Sequence, residues 1–317
     1  MKGMSKLQDI FVSVVVPVRN DVEIIGPFLH ALVQLLDKNY TNYEILIVES
    51  GSIDGTSAAI KAELLKLECI RFMALTKEYS IDTCIFAGLE NSIGDFVVVL
   101  IPSSDPLELI VPSIKICQEK RNLVFGESTT AYANPLALRS IVGFLFHFFT
   151  NRFLSLTLPR ASTYFRVFDR SMVTALAQIR GRHPMVKRYG SAVGRNAQPI
   201  QYQPLANLQR WRRESLMDRV SYGFDILWTS GHQAIAPLIK LTVALSFLLG
   251  ILASYLADWQ PVEVLRNFQL FLGVALVGLV GHYLSRTTEE VQGVPPYFVD
   301  ETAESNVLLR ESRPNVQ

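Results

Sequence analysis

The 317-residue chain is poor in cysteine: Cys69, Cys84 and Cys117 are odd in number, scattered, and without CxxC or other metal-type spacing. A disulfide framework is excluded, and the three thiols read as buried groups of a reducing compartment. The five histidines, at 30, 147, 183, 232 and 282, form no HxH or HExxH pattern, so a zinc site has no support. Charge is also scarce and balanced, with 30 Lys plus Arg against 29 Asp plus Glu, 19% of the chain, and a formal net charge of +1. A nucleic-acid binder would carry a basic excess, so nucleic acid is not expected as a partner. With 49% apolar and 10% aromatic residues, intrinsic disorder is excluded as well. No internal repeat or low-complexity segment occurs. A secretory signal is not expected either: residues 10–18 are apolar but contain Pro17, and the RNDVE that follows has no small-residue cleavage site.

What is present is apolar and unevenly spread, for a mean hydropathy of +0.25. Residues 241–257 (LTVALSFLLGILASYLA) and 267–284 (NFQLFLGVALVGLVGHYL) are long and nearly free of charge. Each is about the 17–25 residues that cross a bilayer as a helix. Lys240, Trp259 and Tyr283 sit at segment ends, where snorkelling stems and interfacial aromatics belong. With the short link 258–266 between them, the two segments read as a transmembrane hairpin within 231–286. Arg210, Arg212, Arg213, Arg219 and Lys240 precede the first span and Arg286 follows the second, against Arg266 alone among basic residues in the link. The positive-inside rule then predicts an integral membrane protein with both termini in the cytoplasm. Ser246, Gly250 and Ser254 line one helix face and suit either a homo-oligomer contact or packing against the second span, the latter being favoured.

Before the hairpin, strands and helices alternate. FVSVVVPV (11–18), YEILIVES (43–50), CIRFMAL (69–75), DFVVVLI (95–101) and NLVFG (122–126) read as strands. Helices are predicted over 21–36, from the GSIDGT turn to 67, over 83–91, and over 106–119 with a kink at Pro112. This alternation predicts βαβ units with a parallel sheet covered on both faces. Ligands then bind beyond the C-terminal strand ends, which directs attention to loops 17–21, 49–55, 76–82 and 101–106.

The motifs VSVVVPVRNDVEII, EILIVESGSIDGT and FAGLENSIGDFVVVL resemble the first half of family 2 glycosyltransferases of the GT-A fold. STYFRVFDRSMVTAL and LVGLVGHYLSRTTEEVQGVPPYFV are similar to their polyprenyl-phosphate branch, which includes dolichol-phosphate mannose synthases and bacterial polyprenyl-phosphate glucosyltransferases. The likeness covers about residues 11–299 and includes the membrane hairpin. It implies an α/β GT-A fold, Rossmann-like with a mostly parallel sheet, and transfer of a sugar from a nucleotide-sugar to a polyprenyl phosphate at the cytoplasmic face. Carried over by position, Pro17, Arg19, Asn20 and Asp21 form the first nucleotide loop, Glu49 contacts the nucleoside, and Gly51, Ser52 and Asp54 shape the second turn. Ser52, Asp54 and Gly55 are equally ordinary turn and cap residues, and Asp21 is a reasonable helix N-cap.

Several positions depart from the family. Its Asp-any-Asp motif, which holds a divalent metal such as Mg2+ or Mn2+ on the donor pyrophosphate, is replaced here by Ile101 and Ser103. Asp105 survives, but Asp105-Pro106 reads more readily as an N-cap and first helical residue than as a metal ligand. A second acid beside it, from Asp82 or Glu108, would favour catalysis. An acid pair is reduced to Glu49-Ser50, TKEYSID lacks the usual Arg-Asn and Gly, and Tyr164 stands where an Asp general base is usual. A phenol with an ordinary pKa of about 10 is a poor base, although a lipid phosphate is already a nucleophile. Arg139 and Arg152 bracket the aromatic-rich IVGFLFHFFTN inside an interfacial segment over 136–158, and Arg166 keeps a family position with Asp169 as a partner. These arginines are the expected acceptor-phosphate ligands.

The predicted organisation is a cytoplasmic GT-A domain over 1–230, the hairpin over 231–286, and a cytoplasmic tail over 287–317 that is polar and disordered after Glu301. The alternative to an active glycosyltransferase is a catalytically silent relative that acts as a binding or assembly partner of another membrane glycosyltransferase.

Overall fold

The computed structural model describes residues 7–120, 123–129, 162–178, 197–205, 232–255, 262–291 and 295–305. In chain order the elements are β1 (Gln8–Val18), α1 (Val22–Asn39), β2 (Tyr40–Ser50), α2 (Thr56–Leu64), β3 (Ile70–Leu75), α3 (Ile81–Asn91), β4 (Phe96–Val99), a 3-10 turn (Leu107–Leu109) and α4 (Ile110–Lys120). There follow β5 (Leu123–Ser128), β6 (Ser162–Asp169), α5 (Arg170–Ala177), β7 (Ala197–Tyr202), α6 (His232–Tyr255), α7 (Val262–Val291) and β8 (Val299–Glu304). The chain divides into two compact units: one holds the strands with α1–α5, the other holds α6 and α7.

In the first unit the eight strands form one sheet, ordered β7-β5-β6-β4-β1-β2-β3-β8. β1 pairs in parallel with both β2 and β4, β2 with β3, and β5 with β7. β6 runs antiparallel to β4 and β5, and β8 antiparallel to β3. The sheet is thus mixed and mostly parallel, with helices on both faces. The continuous valines of β1 explain why: Val14 and Val16 pack with Ile25, Leu29, Leu32 and Leu36 of α1, while Val15 packs on the other face with Cys84 and Ile85 of α3. Alternate residues of a strand serve opposite faces, so a strand covered twice carries no polar phase. Gly88 lets α3 sit directly on β1, since a Cβ there would lie 2.2 Å from Val15 Cγ1.

Three expectations are corrected. The helix before β5 is not kinked at Pro112: a 3-10 turn ends at Leu109 and α4 starts at Ile110, which puts Pro112 in a first turn where its missing N–H is not needed. Beyond the predicted strands, FRVFD of β6 adds an antiparallel strand between β4 and β5. Residues 299–305 are not tail. β8 pairs with β3, Ser305 Oγ accepts from Ile70 N at 2.8 Å, and Ser305 N donates to Ile70 O at 2.8 Å. Glu304 pairs with Arg71 at 3.1 Å and Glu301 with Lys61 at 2.6 Å. The polar sequence VDETAE hides this strand because it lies at an exposed edge, where pairing needs no hydrophobic phase.

In the second unit α6 and α7 follow one another as the predicted pair of helices. A Cβ on Gly250 would lie 3.2 Å from Gln269 Nε2, so this part of the small-residue face packs against the second helix. Phe247, Leu248 and Ile251 of α6 and Leu270, Phe271, Val274 and Val277 of α7 are exposed. Among the described residues, no helix is long and apolar enough to cross a membrane. Residues 136–158 with Arg139 and Arg152, and also Arg210, Arg212, Arg213 and Arg219, lie outside the described residues.

Ser305→Ala would strand the buried Ile70 N–H and should lower the unfolding free energy by about 1–3 kcal/mol. Glu304→Gln, which touches only an exposed ion pair, should cost no more than about 1 kcal/mol. Denaturant melts of the purified full-length variants measure both.

Candidate functional site

The strand order places the change of direction between β1 and β4: the chain runs from β1 through β2 to β3, then returns to β4 on the other side. Loops 17–21, 49–55, 76–80 and 100–105 leave the C-terminal ends of these four parallel strands, and a ligand crevice belongs at this rim.

The first three loops are stitched together by their own polar groups. Asn20 adopts a left-handed backbone, φ 53°, which Asn tolerates better than most residues. Its N–H donates to Ser52 Oγ at 3.0 Å and its Oδ1 accepts from Ile53 N at 2.9 Å. Asp21 is buried; its N–H donates to Thr56 Oγ1 at 2.9 Å and its carboxylate accepts from Arg19 N at 3.1 Å. Although Asp21 precedes α1, its side chain does not cap that helix. Asp54 does the bridging instead, accepting from Val22 N at the start of α1 (3.2 Å) and from Thr56 N (3.0 Å) and Oγ1 (2.5 Å) at the start of α2. Partial desolvation acts to raise the Asp54 pKa, but the bonds from Thr56 and Val22 outweigh it and hold the carboxyl below its ordinary range. Glu49 is buried and accepts from Ser52 N at 2.5 Å. Gly51, at φ +61°, admits the third loop, because a Cβ there would lie 2.9 Å from Glu78 N. Ser50 Oγ accepts from Tyr79 N at 2.7 Å and fixes the same loop. Arg19 forms an ion pair with Glu78.

The fourth loop differs from expectation. Asp105 is not an N-cap: Pro106 holds that position and receives no side-chain bond. The Asp105 carboxylate turns inward, where it is 2% exposed, accepting from Ile101 N at 2.9 Å and from the Tyr202 hydroxyl of β7 at 2.5 Å. Burial pushes its pKa up to about 6, against the bonds from Tyr202 and Ile101 and the nearby Arg166 charge. Burial likewise keeps Tyr202 protonated, above the ordinary phenol range, so it acts as a donor. Tyr202 and Thr56 had no local sequence signal, since each matters only through a distant carboxylate or backbone group.

Arg166 sits on β6 opposite Val99 of β4 and Phe125 of β5. It is buried, its Nη1 donating to the Thr163 and Phe165 carbonyls at 2.7 Å each and its Nη2 to Ser162 Oγ at 2.5 Å. Its guanidinium is thus engaged by groups of its own strand. Asp169 is not its partner: residues three apart on a strand face opposite ways, and Asp169 caps α5 through Met172 N at 2.8 Å. Burial lowers the Arg166 pKa to about 10, opposed by the fields of Tyr202, Asp82, Tyr164 and Asp105. Tyr164 reaches Asp82 Oδ2 at 3.4 Å. Asp82 is thus the buried acid that shares Arg166 with Asp105, whereas Glu108 is exposed. Cys84, beneath this rim, is pushed up to about 12 by burial and is no nucleophile.

A divalent cation of the Mg2+ or Mn2+ kind wants several oxygen ligands, mainly carboxylates. Here Ile101 is part of the apolar core and both Asp105 oxygens are engaged within the protein. Ser103 Oγ is a neutral hydroxyl, and Arg166 already places a positive charge beside Asp82 and Asp105. No group of three or more His, Cys, Asp or Glu residues is assembled among the described residues. Among the described residues the donor set does not fit the metal.

Residues 13–176 match the family described as glycosyl transferase family 2. The chain is 22% identical to the SfII prophage-derived bactoprenol glucosyl transferase of Shigella flexneri, over 93% of this chain and 99% of that protein. It is 24% identical to the undecaprenyl-phosphate 4-deoxy-4-formamido-L-arabinose transferase of Serratia proteamaculans, over 93% of this chain and 95% of that protein. Glucosyl-3-phosphoglycerate synthase from Mycobacterium tuberculosis, solved with Mn2+, UDP and phosphoglyceric acid, aligns with a TM-score of 0.49 and 16% identity over 71% of this chain and 78% of that one.

Because Asp105 ionises at about 6 when folded against an ordinary 3.8, the folded state holds its proton more tightly than the unfolded chain. Its contribution to stability must therefore decline as the pH rises from about 4 to about 6, then level off. Asp105→Asn retains one acceptor and one donor but does not titrate. The wild-type-minus-variant difference in unfolding free energy, from melts across this window, should fall with rising pH; a flat difference would refute the assignment.

Proposed function

Because the chain belongs to glycosyl transferase family 2, we propose that this glycosyltransferase moves one sugar from a nucleotide-sugar to a polyprenyl phosphate at the cytoplasmic face of a membrane. The observation that carries the acceptor is the reach of the similarity. Relatives named for bactoprenol and for undecaprenyl phosphate each align over 93% of this chain, which takes in most of the α6–α7 hairpin. By their names these relatives transfer different sugars, one acting with bactoprenol and the other with undecaprenyl phosphate.

Segments 241–257 and 267–284 are read as a membrane hairpin. Its support is their length and composition, together with the outward Phe247, Leu248, Phe271 and Val274, an apolar surface that lipid would cover. β7 before the hairpin and β8 after it lie in one sheet, so the intervening chain crosses any membrane an even number of times. The basic residues flanking the hairpin favour the cytoplasmic side for that sheet, with the 258–266 link outside.

In the reaction a lipid phosphate oxygen attacks the anomeric carbon. The new C–O bond forms as the bond to the donor diphosphate breaks, and the nucleoside diphosphate leaves with the electron pair. The acceptor oxygen is already anionic, so the reaction does not depend on a strong base at Tyr164. Loops 17–21, 49–55 and 76–80 form the donor rim. Asn20, Asp21, Glu49, Gly51, Ser52 and Asp54 hold its shape through the contacts described above, and Pro17, one residue before the end of β1, lies opposite Val48.

Full-length protein in detergent, given labelled UDP- and GDP-sugars and a short polyprenyl phosphate, should form a lipid-linked sugar from at least one donor. If no donor is used and no nucleotide binds, the chain is instead a silent partner of another membrane glycosyltransferase. For topology, Gln260→Cys should react with an impermeant maleimide on intact cells, and Thr302→Cys only after permeabilisation. The reverse pattern would invert the orientation.

A further inference from the structure

Breaking the donor bond leaves negative charge on a diphosphate, and stabilising such charge is commonly the largest catalytic contribution. The loop that should bring a cation for this purpose does not fit one. Its surviving acid is turned inward onto Ile101 N and the Tyr202 hydroxyl, and the buried Arg166 guanidinium opposes a second positive charge at the same place.

The rim offers a different source of positive charge. Arg19 leaves the end of β1 with its side chain 19% exposed. Its Nε is buried and has no hydrogen-bond partner among the described residues. The far end of the guanidinium rests on Glu78, whose side chain is 61% exposed. An ion pair with so exposed a partner is weakly held and is readily exchanged for a multivalent anion. Lys77 is the residue before Glu78, and its Nζ lies 5.3 Å from the centre of the Tyr79 ring. Tyr79 is itself fixed to Ser50, and Gly51 lies against the backbone of Glu78. Arg19 and Lys77 thus come from two loops that are tied to each other through the Arg19–Glu78 pair, the Ser50–Tyr79 bond and the close approach at Gly51. Guanidinium supplies planar, paired donors for phosphate oxygens, and ammonium adds a point charge.

We propose that Arg19 and Lys77 compensate the donor diphosphate in place of a divalent cation, with Glu78 holding Arg19 until the donor arrives. The inference rests on the donor site proposed above and deepens it: the ligand is a nucleoside diphosphate bound through its phosphates without metal.

The test is calorimetric titration of the full-length protein in detergent with UDP, GDP, CDP and dTDP, in excess Mg2+ and in EDTA. The nucleotide that binds should do so with the same affinity, within about twofold, in both conditions. Arg19→Met should weaken it by tenfold or more, the scale of losing a charge-assisted hydrogen bond. Lys77→Met should weaken it less, and Glu78→Gln should tighten it by up to about fivefold, the scale of an exposed ion pair. Because Lys77 and Glu78 are exposed, their variants test the idea even if Arg19→Met unfolds, which thermal melts would reveal. Binding that requires Mg2+, or that ignores Lys77 and Glu78, overturns the inference and leaves the transferase reading intact. Absence of binding by every nucleotide overturns both.

Discussion

Strand β1 accepts β2 in parallel from Gln8↔Tyr40 to Val18↔Glu49 and β4 in parallel from Val12↔Phe96 to Val15↔Val99. This double pairing, with α1 on one face and α3 on the other, leaves Val12, Val14, Val15, Val16 and Val18 without solvent contact. The chain leaving β1 therefore meets polar surroundings only at Arg19, Asn20 and Asp21, and it must turn sharply there. The left-handed Asn20 makes that turn, and Asp54 ties the starts of α1 and α2 to it. The rim proposed to take the donor is thus a by-product of how deeply one strand is buried.

The same economy governs the acids. Several carboxylates that look like ligands in the sequence are used as acceptors for the protein's own groups. Asp54 takes Val22 N and Thr56 N, Asp105 takes Ile101 N and the Tyr202 hydroxyl, and Asp169 takes Met172 N. At the far side of the sheet, buried Glu44 takes the Ser13 hydroxyl, Ile93 N and the Arg71 guanidinium. Each arrangement satisfies backbone or side-chain donors that would otherwise be stranded in the interior.

What the sequence could disclose followed from the range of the forces involved. Continuous β-branched runs such as FVSVVVPV and YEILIVES announce strands covered on both faces, because the burial that selects them acts on every residue. The loops after those strands were legible for the same reason, since the sheet fixes where they emerge. β6 was harder, as its buried Arg166 interrupts the apolar pattern, and β8 was invisible because an exposed edge imposes no pattern. Asp105-Pro106 carried a strong local cap signal that was overridden by Tyr202, 97 residues away. Pairing Arg166 with Asp169 failed on geometry alone, since strand residues three apart do not share a face.

The last strand gives synthesis an order. On the ribosome β1 to β7 emerge first, and the outer edge of β3 has no neighbour until β8 has been made. During that interval both long helices must emerge, while an open strand edge invites wrong partners. A fragment cut ahead of the hairpin would keep that open edge permanently. The catalytic sheet is therefore completed from behind, by a strand that can arrive only after the hairpin has been made.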